Sequence, residues 1–404
     1  MYPNTGVFSG QNPVFIPGPT NIPDRLRHAM NMPTSDHRAP DFADLLSQLL
    51  DDLKSVFKTT DAEIITFPAS GTGGWEAAVT NTLSPGDKVL VAQYGMFSQR
   101  WIDLCRQHGL VVDVIPCEWG APAPAEKFEE RLRADRGHAI KAVLVTHNET
   151  STGVVSDIAA VRRSIDASGH PALLFVDCVS SLASVDFRMD EWGVDIAVTG
   201  SQKGFMLATG MAIVGVSPKA LAACDTARCP RAFFDFRAML AANGAGGFPY
   251  TPPLQLISSL RESVDMLLAE GLENVFARHR WTADGVRRAV AAWGFSLCAH
   301  SPAYASDTVS AVKVPAGFDG TALTDHAYNA YGVSFGVGLG ELAGKIFRIG
   351  HLGSLTPTMA LAGLSTIEMA MKDLDYPITL GSGVAAAQDH YRHAPQSALQ
   401  RMAA

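Results

Sequence analysis

Short apolar runs and helical stretches alternate along most of this chain. Residues 41–57 carry apolar side chains at helical spacing, which predicts an amphipathic helix. Seven apolar runs of strand length follow, at 63–67, 88–92, 111–115, 141–146, 172–177, 194–199 and 212–216. Helical stretches separate most of them, for example 77–83, 97–108 and 157–167. The alternation predicts an α/β domain with a mostly parallel, seven-stranded sheet covered by helices.

Different patterns occupy the two ends of the chain. Residues 1–20 are rich in Pro, Gly and Asn, which predicts an extended N-terminal arm, a type of segment that often lies across a partner subunit. A long helical stretch from 254 to about 293 predicts the connection out of the sheet domain, which we assign to residues 21–275. A shorter α+β pattern beyond it predicts a smaller C-terminal domain, residues 276–404.

Composition and charge exclude several classes of protein. The chain has 404 residues, of which 47% are hydrophobic and 18% charged, as in an ordinary globular protein. A net charge of -8 argues against nucleic acid or an anionic membrane as partner. We expect no signal peptide, no membrane-spanning helix and, from the spacing of the histidines, no metal site. Six scattered cysteines without a Cys-x-x-Cys pair favour reduced thiols and a cytoplasmic location.

Lys203 has the most informative surroundings of any residue in the chain. It lies just past the apolar run 194–199 and directly before Gly204-Phe-Met-Leu207. Desolvation there would lower the pKa of the amine and make it nucleophilic, as a Schiff base with an aldehyde cofactor requires. The alternative is a lysine that ends a strand and touches solvent.

A glycine-rich segment follows the first predicted strand. Ser70-Gly-Thr-Gly-Gly74 precedes a helix, and it would place free N–H groups at a positive helix N-terminus that suits a phosphate. It is not a Walker loop, and Glu76 occupies the third glycine position of the dinucleotide pattern. The alternative is a glycine-rich turn without a ligand.

Three other polar features lie at or near predicted strands. Asp177 ends a strand, where a buried carboxylate needs a partner such as a protonated pyridine nitrogen; capping of the Ser180-Ser181 turn is the alternative. The polar loop 146–153 can face the same cleft or serve turn chemistry. Arg348 alternates with apolar residues and could hold a carboxylate bidentately, or it could be an exposed arginine of an edge strand.

Together these residues indicate a pyridoxal-phosphate enzyme. The chain resembles the class V aminotransferases of fold type I, in the branch of serine–glyoxylate and aspartate–glyoxylate aminotransferases. The resemblance covers nearly the whole chain. The motifs that carry it are Ile16-Pro-Gly-Pro-Thr20, Ser35-Asp-His-Arg38, Ser70-Gly-Thr-Gly73, Thr82-Leu-Ser-Pro-Gly-Asp87, Thr146-His-Asn-Glu-Thr150, Asp186-Phe-Arg-Met-Asp-Glu-Trp-Gly193, Thr199-Gly-Ser-Gln-Lys203, Pro249-Tyr-Thr-Pro252, Gly271-Leu-Glu-Asn-Val275 and Phe347-Arg-Ile-Gly-His351.

The resemblance implies pyridoxal 5′-phosphate as the cofactor and Lys203 as the catalytic residue, which binds the cofactor covalently and then moves the substrate α-proton. Asp177 would hold the pyridine N–H, Phe97 would stack on the ring, and Thr150 would lie near the phenolic oxygen. The residues implied for the phosphate are Ser70, Gly71, Thr72 and Gln202, with Tyr250 and Thr251 from the neighbouring subunit of a homodimer.

The resemblance also implies how substrates bind. Arg348 would clamp the α-carboxylate, while His37 and Arg38 would reach into the other subunit's site, so that the active site requires a homodimer. The expected reaction is a ping-pong transfer of an amino group from an L-amino acid to glyoxylate, which gives glycine. The predicted donor is L-aspartate, giving oxaloacetate, or L-serine, giving hydroxypyruvate, with aspartate favoured by a narrow margin.

Other functions stay open at this point. The chain could use serine or alanine with aspartate as a poor donor, or it could be another class V enzyme. A nicotinamide-dependent dehydrogenase is disfavoured by the glycine pattern, and a non-catalytic scaffold by the joint presence of Lys203, Asp177 and Arg348. The chain departs from the family at Cys178 and Ala208, where members usually have glycine and proline, and neither position makes or breaks bonds.

Overall fold

The computed structural model describes residues 12–393 and contains thirteen α-helices and twelve strands within that range. The helices are α1 Asp24–Met30, α2 Pro40–Phe57, α3 Gly71–Thr82, α4 Met96–Gln107, α5 Ala125–Ala134, α6 Ile158–Ala167, α7 Pro218–Ala223, α8 Phe236–Gly244, α9 Leu254–Glu270, α10 Leu272–Ala292, α11 Gly320–Tyr331, α12 Pro357–Asp373 and α13 Ser382–Tyr391. The strands are β1 Glu63–Phe67, β2 Lys88–Gln93, β3 Val111–Pro116, β4 Ile140–Thr146, β5 Asn148–Glu149, β6 Val154–Val155, β7 Leu173–Asp177, β8 Ile196–Gly200, β9 Ala212–Val216, β10 Val309–Lys313, β11 Gly336–Val337 and β12 Ile346–Gly350. None of these helices has the length and apolar character needed to cross a membrane.

Seven strands form the central sheet, in the order β1-β9-β8-β7-β4-β2-β3. Strand β9 is antiparallel to both of its neighbours, and all the other pairs are parallel. The predicted mostly parallel, seven-stranded sheet is therefore confirmed. The register pairs Thr146 with Asp177 and Asp177 with Val198, so the carboxyl ends of β4, β7 and β8 lie side by side.

The strands of this sheet are continuous apolar runs because both of its faces are covered. Ile64 and Leu174 belong to a cluster that includes residues of α2, α6 and α9. Their chain neighbours Ile65 and Phe175 belong to a second cluster, with residues of α3 and α4. Successive side chains of a strand point to opposite faces, so each strand supplies both clusters.

The C-terminal part of the chain forms the predicted smaller α+β unit. A three-stranded antiparallel sheet, in the order β10-β12-β11, packs with a third cluster that draws on α10, α11, α12 and α13. The predicted boundary at 275/276 falls inside α10, whose Val275 belongs to the first cluster and whose Val286 belongs to the third. The division into 21–275 and 276–404 stays a prediction. Residues 1–11 of the predicted arm and 394–404 of the small domain lie outside the described residues.

The described part of the N-terminal arm lies on this chain's own small sheet. The amide of Phe15 donates to the carbonyl of Ser334 at 2.8 Å, and the amide of Gly350 donates to the carbonyl of Phe15 at 2.6 Å. The ring of Phe15 stacks on Phe335, with centroids 5.4 Å apart. The arm is therefore part of the third cluster rather than a free extension.

A buried carboxylate fixes the last described helix. Glu368 of α12 is 1% exposed, and its oxygens accept the indole N–H of Trp293 at 2.7 Å. They also accept the amides of Gly381 and Gly383, at 2.6 and 2.7 Å. Because these amides lie at the N-terminus of α13, the negative charge also complements the positive end of that helix.

Replacing Glu368 with alanine should destabilise the protein strongly, because Trp293 and the amides at the start of α13 would lose their acceptor. Each buried donor left without a partner costs about 1–3 kcal/mol, so we expect a loss of roughly 3 kcal/mol or more in the free energy of unfolding. The measurement is the urea midpoint of Glu368→Ala beside Glu130→Ala, which changes an exposed glutamate. Equal midpoints for the two variants would refute the role of Glu368.

Candidate active site

The functional residues meet at the carboxyl edge of the central sheet. Asp177 is the last residue of β7, Thr150 directly follows β5, and Lys203 lies three residues past the end of β8. Strand β1 runs parallel to β8, because both are antiparallel to β9, so helix α3 begins at the same edge. Parallel strands of an α/β sheet place their ligand sites at this edge.

The amine of Lys203 is buried. The residue is 9% exposed, and Nζ donates a hydrogen bond to the carbonyl of Pro17 in the N-terminal arm. Burial lowers the pKa of Lys203 to about 8, the positive charge of Arg348 acts in the same direction, and Asp177 opposes it. The alternative of a solvent-exposed lysine is wrong, and the amine is partly neutral near physiological pH, as a nucleophile must be.

Asp177 is a buried carboxylate beside this amine. It is 4% exposed, and Oδ1 accepts the amide of Val179 at 2.9 Å. Burial raises the pKa of Asp177 to about 7, although the bond from Val179 and the charge of Lys203 lower it. The bond from Val179 shows Asp177 holding the backbone that directly follows β7. The cost of burying this charge falls if a further N–H donor or cation binds it.

The start of α3 places free backbone N–H groups next to Gln202. The helix begins at Gly71 after Ser70, and a side chain at Gly71 would collide with Val179. The amide oxygen of Gln202 is buried and has no hydrogen-bond partner within residues 12–393. This oxygen and the amide nitrogen of Gly71 lie on the same side of Gly200. A Cβ atom added at Gly200 would be 2.7 Å from the oxygen and 3.3 Å from the nitrogen. The structure thus brings Gln202 to the predicted phosphate corner of Ser70, Gly71 and Thr72.

Glu149 is a residue of this site that the sequence did not single out. Its carboxylate is 0% exposed and accepts the amides of Phe97 at 3.1 Å and Ser98 at 3.0 Å, at the start of α4. It also accepts the hydroxyl of Ser151 at 2.6 Å. Glu149 thereby ties Phe97 to the loop that carries Thr150. The available signal was a lone carboxylate within the polar loop that follows a buried strand.

Arg348 lies in the middle strand of the small sheet, and it is 6% exposed. Its Nε donates to the carbonyl of Val337 at 2.8 Å, and its Nη1 donates to the carbonyl of Thr150 at 3.1 Å. Burial lowers the pKa of Arg348 to about 10, although the charge of Glu149 acts in the opposite direction. The alternative of an exposed arginine on an edge strand is wrong. The side chain is oriented from two sides and faces the site.

The remaining predicted site residues lie elsewhere on the chain. His37, Arg38, Tyr250 and Thr251 line one cavity of about 460 Å³, and the lining residues of this cavity that the structure describes include none of Lys203, Asp177 and Arg348. The ring of Tyr250 stacks on Phe233, with centroids 4.2 Å apart. A single chain therefore assembles two separate groups of the predicted residues.

The structure shows where the two departures from the family lie. Cys178 is fully buried, and its thiol points to the carbonyl of Val176 at 3.6 Å, so it packs in the core. The carbonyl of Ala208 accepts the hydroxyl of Ser201 at 2.7 Å, which closes the loop after Lys203. Between residues 12 and 393, no three His, Cys, Asp or Glu side chains gather to hold a metal ion.

Comparisons with known proteins agree with this chemistry. The family model described as aminotransferase class-V matches residues 25–333. The chain is 62% identical to the L-aspartate–glyoxylate aminotransferase of Paracoccus denitrificans, over 98% of this chain and 100% of the relative. It is 54% identical to the serine–glyoxylate aminotransferase of Hyphomicrobium methylovorum, over 95% and 96%. The crystal structure of the ureidoglycine–glyoxylate aminotransferase from Bacillus subtilis matches with a TM-score of 0.88 and 25% identity, over 96% of this chain and 100% of that chain.

Lys203 of the cofactor-free protein should react with acetic anhydride with a midpoint near pH 8, because burial lowers the pKa of its amine to about 8. Arg348→Gln should raise this midpoint, since it removes a positive charge that favours the neutral amine. Asp177→Asn should lower it, since it removes a negative charge that favours the protonated amine. Peptide mass spectrometry over a pH series measures the midpoint, with the exposed Lys372 as rate reference. A midpoint near the ordinary lysine value of about 10.4 would contradict the burial of the amine.

Proposed function

This chain belongs to the class V aminotransferase family, and we propose that it transfers the amino group of an L-amino acid to glyoxylate, giving glycine. The family and the fold type I architecture that the sequence predicts are confirmed. The observation that carries the proposal is the buried amine of Lys203, flanked by the carboxylate of Asp177 and the guanidinium of Arg348. Two full-length relatives more than 50% identical to this chain are named for glyoxylate.

We propose pyridoxal 5′-phosphate as the cofactor, because its functional groups match the chemistry of the residues that meet at this site. Its aldehyde suits the amine of Lys203, and its ring N–H suits the carboxylate of Asp177. Its phosphate suits the N–H groups at 70–72 and the buried amide of Gln202, which can turn its Nε2 toward an anion. When bound, this cofactor supplies the electron sink that accepts the electron pair left on the substrate α-carbon.

The protein side chains then position the substrate and move its α-proton. Arg348 binds the α-carboxylate that donor and acceptor share, with its guanidinium oriented by the carbonyls of Val337 and Thr150. Lys203 removes the α-proton of the donor and returns a proton to the acceptor, because a pKa of about 8 suits a general base near neutral pH.

Two residues complete the proposed cofactor site. We assign Phe97 to stack on the cofactor ring, because Glu149 fixes its backbone at the start of α4. We assign Thr150 to the phenolic oxygen, because its hydroxyl lies 2.7 Å from that of Ser180 and its loop carries the carbonyl that holds Arg348.

We propose that the active site is completed in a homodimer. Tyr250 and Thr251 would reach the phosphate of the neighbouring subunit, and His37 and Arg38 would approach its substrate. These four residues line one cavity, and Lys203 of the same chain does not line it, which supports this assignment. Arg38 and Thr251 are exposed, as residues offered to another chain must be.

We propose L-aspartate as the preferred donor, which gives oxaloacetate. The 62% identical relative is named for aspartate, and Arg38 with His37 offers a cationic site for a second carboxylate. L-Serine, giving hydroxypyruvate, is the second candidate, favoured by the 54% identical relative. We also propose a cytoplasmic location, supported by six cysteines that all remain free thiols.

Steady-state kinetics with glyoxylate as acceptor test the activity and the donor. Wild type should give a higher kcat/KM for aspartate than for serine. Arg38→Ala should lower kcat/KM for aspartate selectively, by about ten- to a hundredfold, since a hydrogen bond to a charged group contributes roughly 1.5–3 kcal/mol. The matched control is Arg136→Ala, which changes another exposed arginine. Serine equal to aspartate in wild type would overturn the donor assignment, and no glycine from either donor would overturn the activity.

Glu149→Gln should weaken cofactor binding, because an N–H₂ group replaces one acceptor oxygen. A donor would then face the amides of Phe97 and Ser98, which are donors themselves. The lost charge-assisted bonds correspond to roughly tenfold or more in the dissociation constant. Quenching of tryptophan fluorescence, as pyridoxal 5′-phosphate is added to the cofactor-free protein, measures that constant. Glu130→Gln is the control. An unchanged constant in Glu149→Gln would show that Glu149 does not support the cofactor site.

A further inference from the structure

We propose that residues 14–21, here called the strap, position Lys203 and Arg348 relative to each other, so that one substrate can reach both. The proposal rests on the proposed function, and it assigns a role to a segment that touches both domains. The strap is anchored near Arg348 at one end and to the backbone of the Lys203 loop at the other, and its middle packs on the amine.

The first anchor lies on the small sheet. Phe15 is 1% exposed, exchanges backbone hydrogen bonds with Ser334 and Gly350, and stacks on Phe335. A side chain at Gly363 would begin 2.6 Å from the ring of Phe15, so this glycine makes room for the ring. Gly350 is the last residue of β12, the strand that carries Arg348, so the strap is hydrogen-bonded to that strand.

The second anchor lies on the loop after β8. The amide of Thr20 donates to the carbonyl of Gln202 at 3.1 Å, and its hydroxyl donates to the carbonyl of Lys203 at 3.3 Å. Asn21 closes the strap into a loop, because its side chain bonds both the amide and the carbonyl of Val14, at 2.9 and 2.8 Å. The two ends of the strap are therefore bonded to each other, one end is bonded to the small sheet, and the other end is bonded to the loop of Lys203.

The middle of the strap lies against the amine. The carbonyl of Pro17 accepts the hydrogen bond from Nζ of Lys203. Gly18 has a φ of +99°, and a side chain there would begin 2.5 Å from that Nζ. On the other side, a side chain at Gly336 would begin 3.0 Å from both Pro17 and Arg348. Pro17 and Gly18 thus lie between the lysine and the strand of the arginine, and only glycine allows so close an approach to the amine.

This placement matters because the substrate has a fixed size. The α-carboxylate and the reacting α-carbon are bonded to each other, so Arg348 and Lys203 must stay in one narrow relative position. A misplacement of about 1 Å can cost roughly a hundredfold in rate. Proline at 17 and 19 fixes φ at both positions and stiffens the strap. Its residues act through Lys203 and Arg348, which makes them positioning residues.

Two variants test the strap in different ways. Gly18→Ala pushes a methyl group against the amine, and Asn21→Ala opens the loop without touching Lys203. The control for the first is Gly137→Ala, where an added methyl group meets no atom within 4 Å. The control for the second is Asn274→Ala, which removes an amide that bonds the carbonyl of Glu270 away from the strap.

The first measurement is the acetylation rate of Lys203 in the cofactor-free protein, relative to Lys372. Gly18→Ala and Asn21→Ala should both raise it several-fold, and the controls should leave it unchanged. This readout does not depend on turnover, so it stays valid even if the chain proves to have a different activity. Wild-type acetylation in both strap variants would overturn the proposal.

The second measurement is kcat and KM of the loaded enzyme with aspartate and glyoxylate. A misplaced lysine should lower kcat by about tenfold or more in both half-reactions. A loss confined to KM of one substrate would overturn the proposal, because it would make the strap a specificity element. If Gly18→Ala fails to fold in thermal denaturation, Asn21→Ala decides the outcome alone.

Discussion

The structure depends on keeping one amine out of water while leaving it reactive. Lys203 loses solvation at the edge of the sheet, and a buried ammonium group is costly unless charges or acceptors compensate it. The negative charge of Asp177 and a carbonyl of the arm stabilise the protonated amine, whereas the positive charge of Arg348 lowers its pKa and favours the neutral form. These groups come from two sheets and the N-terminal arm. The amine therefore has its reactive pKa only when the whole fold is in place.

Much of this arrangement follows from the sequence alone. The seven strands were predictable because a sheet covered on both faces needs continuous apolar runs, and Asp177 and Lys203 were predictable because they interrupt such runs at their ends. Helix α5 was not predicted, because only Phe128 and Leu132 bury apolar surface among its charged residues. The position of the arm was also not predictable, since the hydrogen bonds of Phe15 with Ser334 and Gly350 join main-chain groups that carry no sequence signal.

Buried carboxylates that bind helix N-termini were harder to predict than the residues that form the site. Glu149 and Glu368 each accept the amides at the start of a helix, α4 and α13 respectively. In both cases a buried glutamate from another element accepts backbone amides, which lie 51 and 52 positions away for Glu149 and 13 to 16 positions away for Glu368. A sequence shows the carboxylate but not the helix that it meets. Such contacts join elements that the apolar pattern treats as independent.

The strap has a consequence for how the protein is made. Asn21 and Ser354 are bonded although they lie 333 positions apart, and Phe15 is held by the strand that ends at Gly350. Contacts of such high sequence separation form late, because a long loop must close first. During synthesis the strap leaves the ribosome more than 300 residues before its partners Ser334, Gly350 and Ser354. A nascent chain can build the central sheet early, but the environment of Lys203 stays open until the small sheet has also left the ribosome and bound the strap.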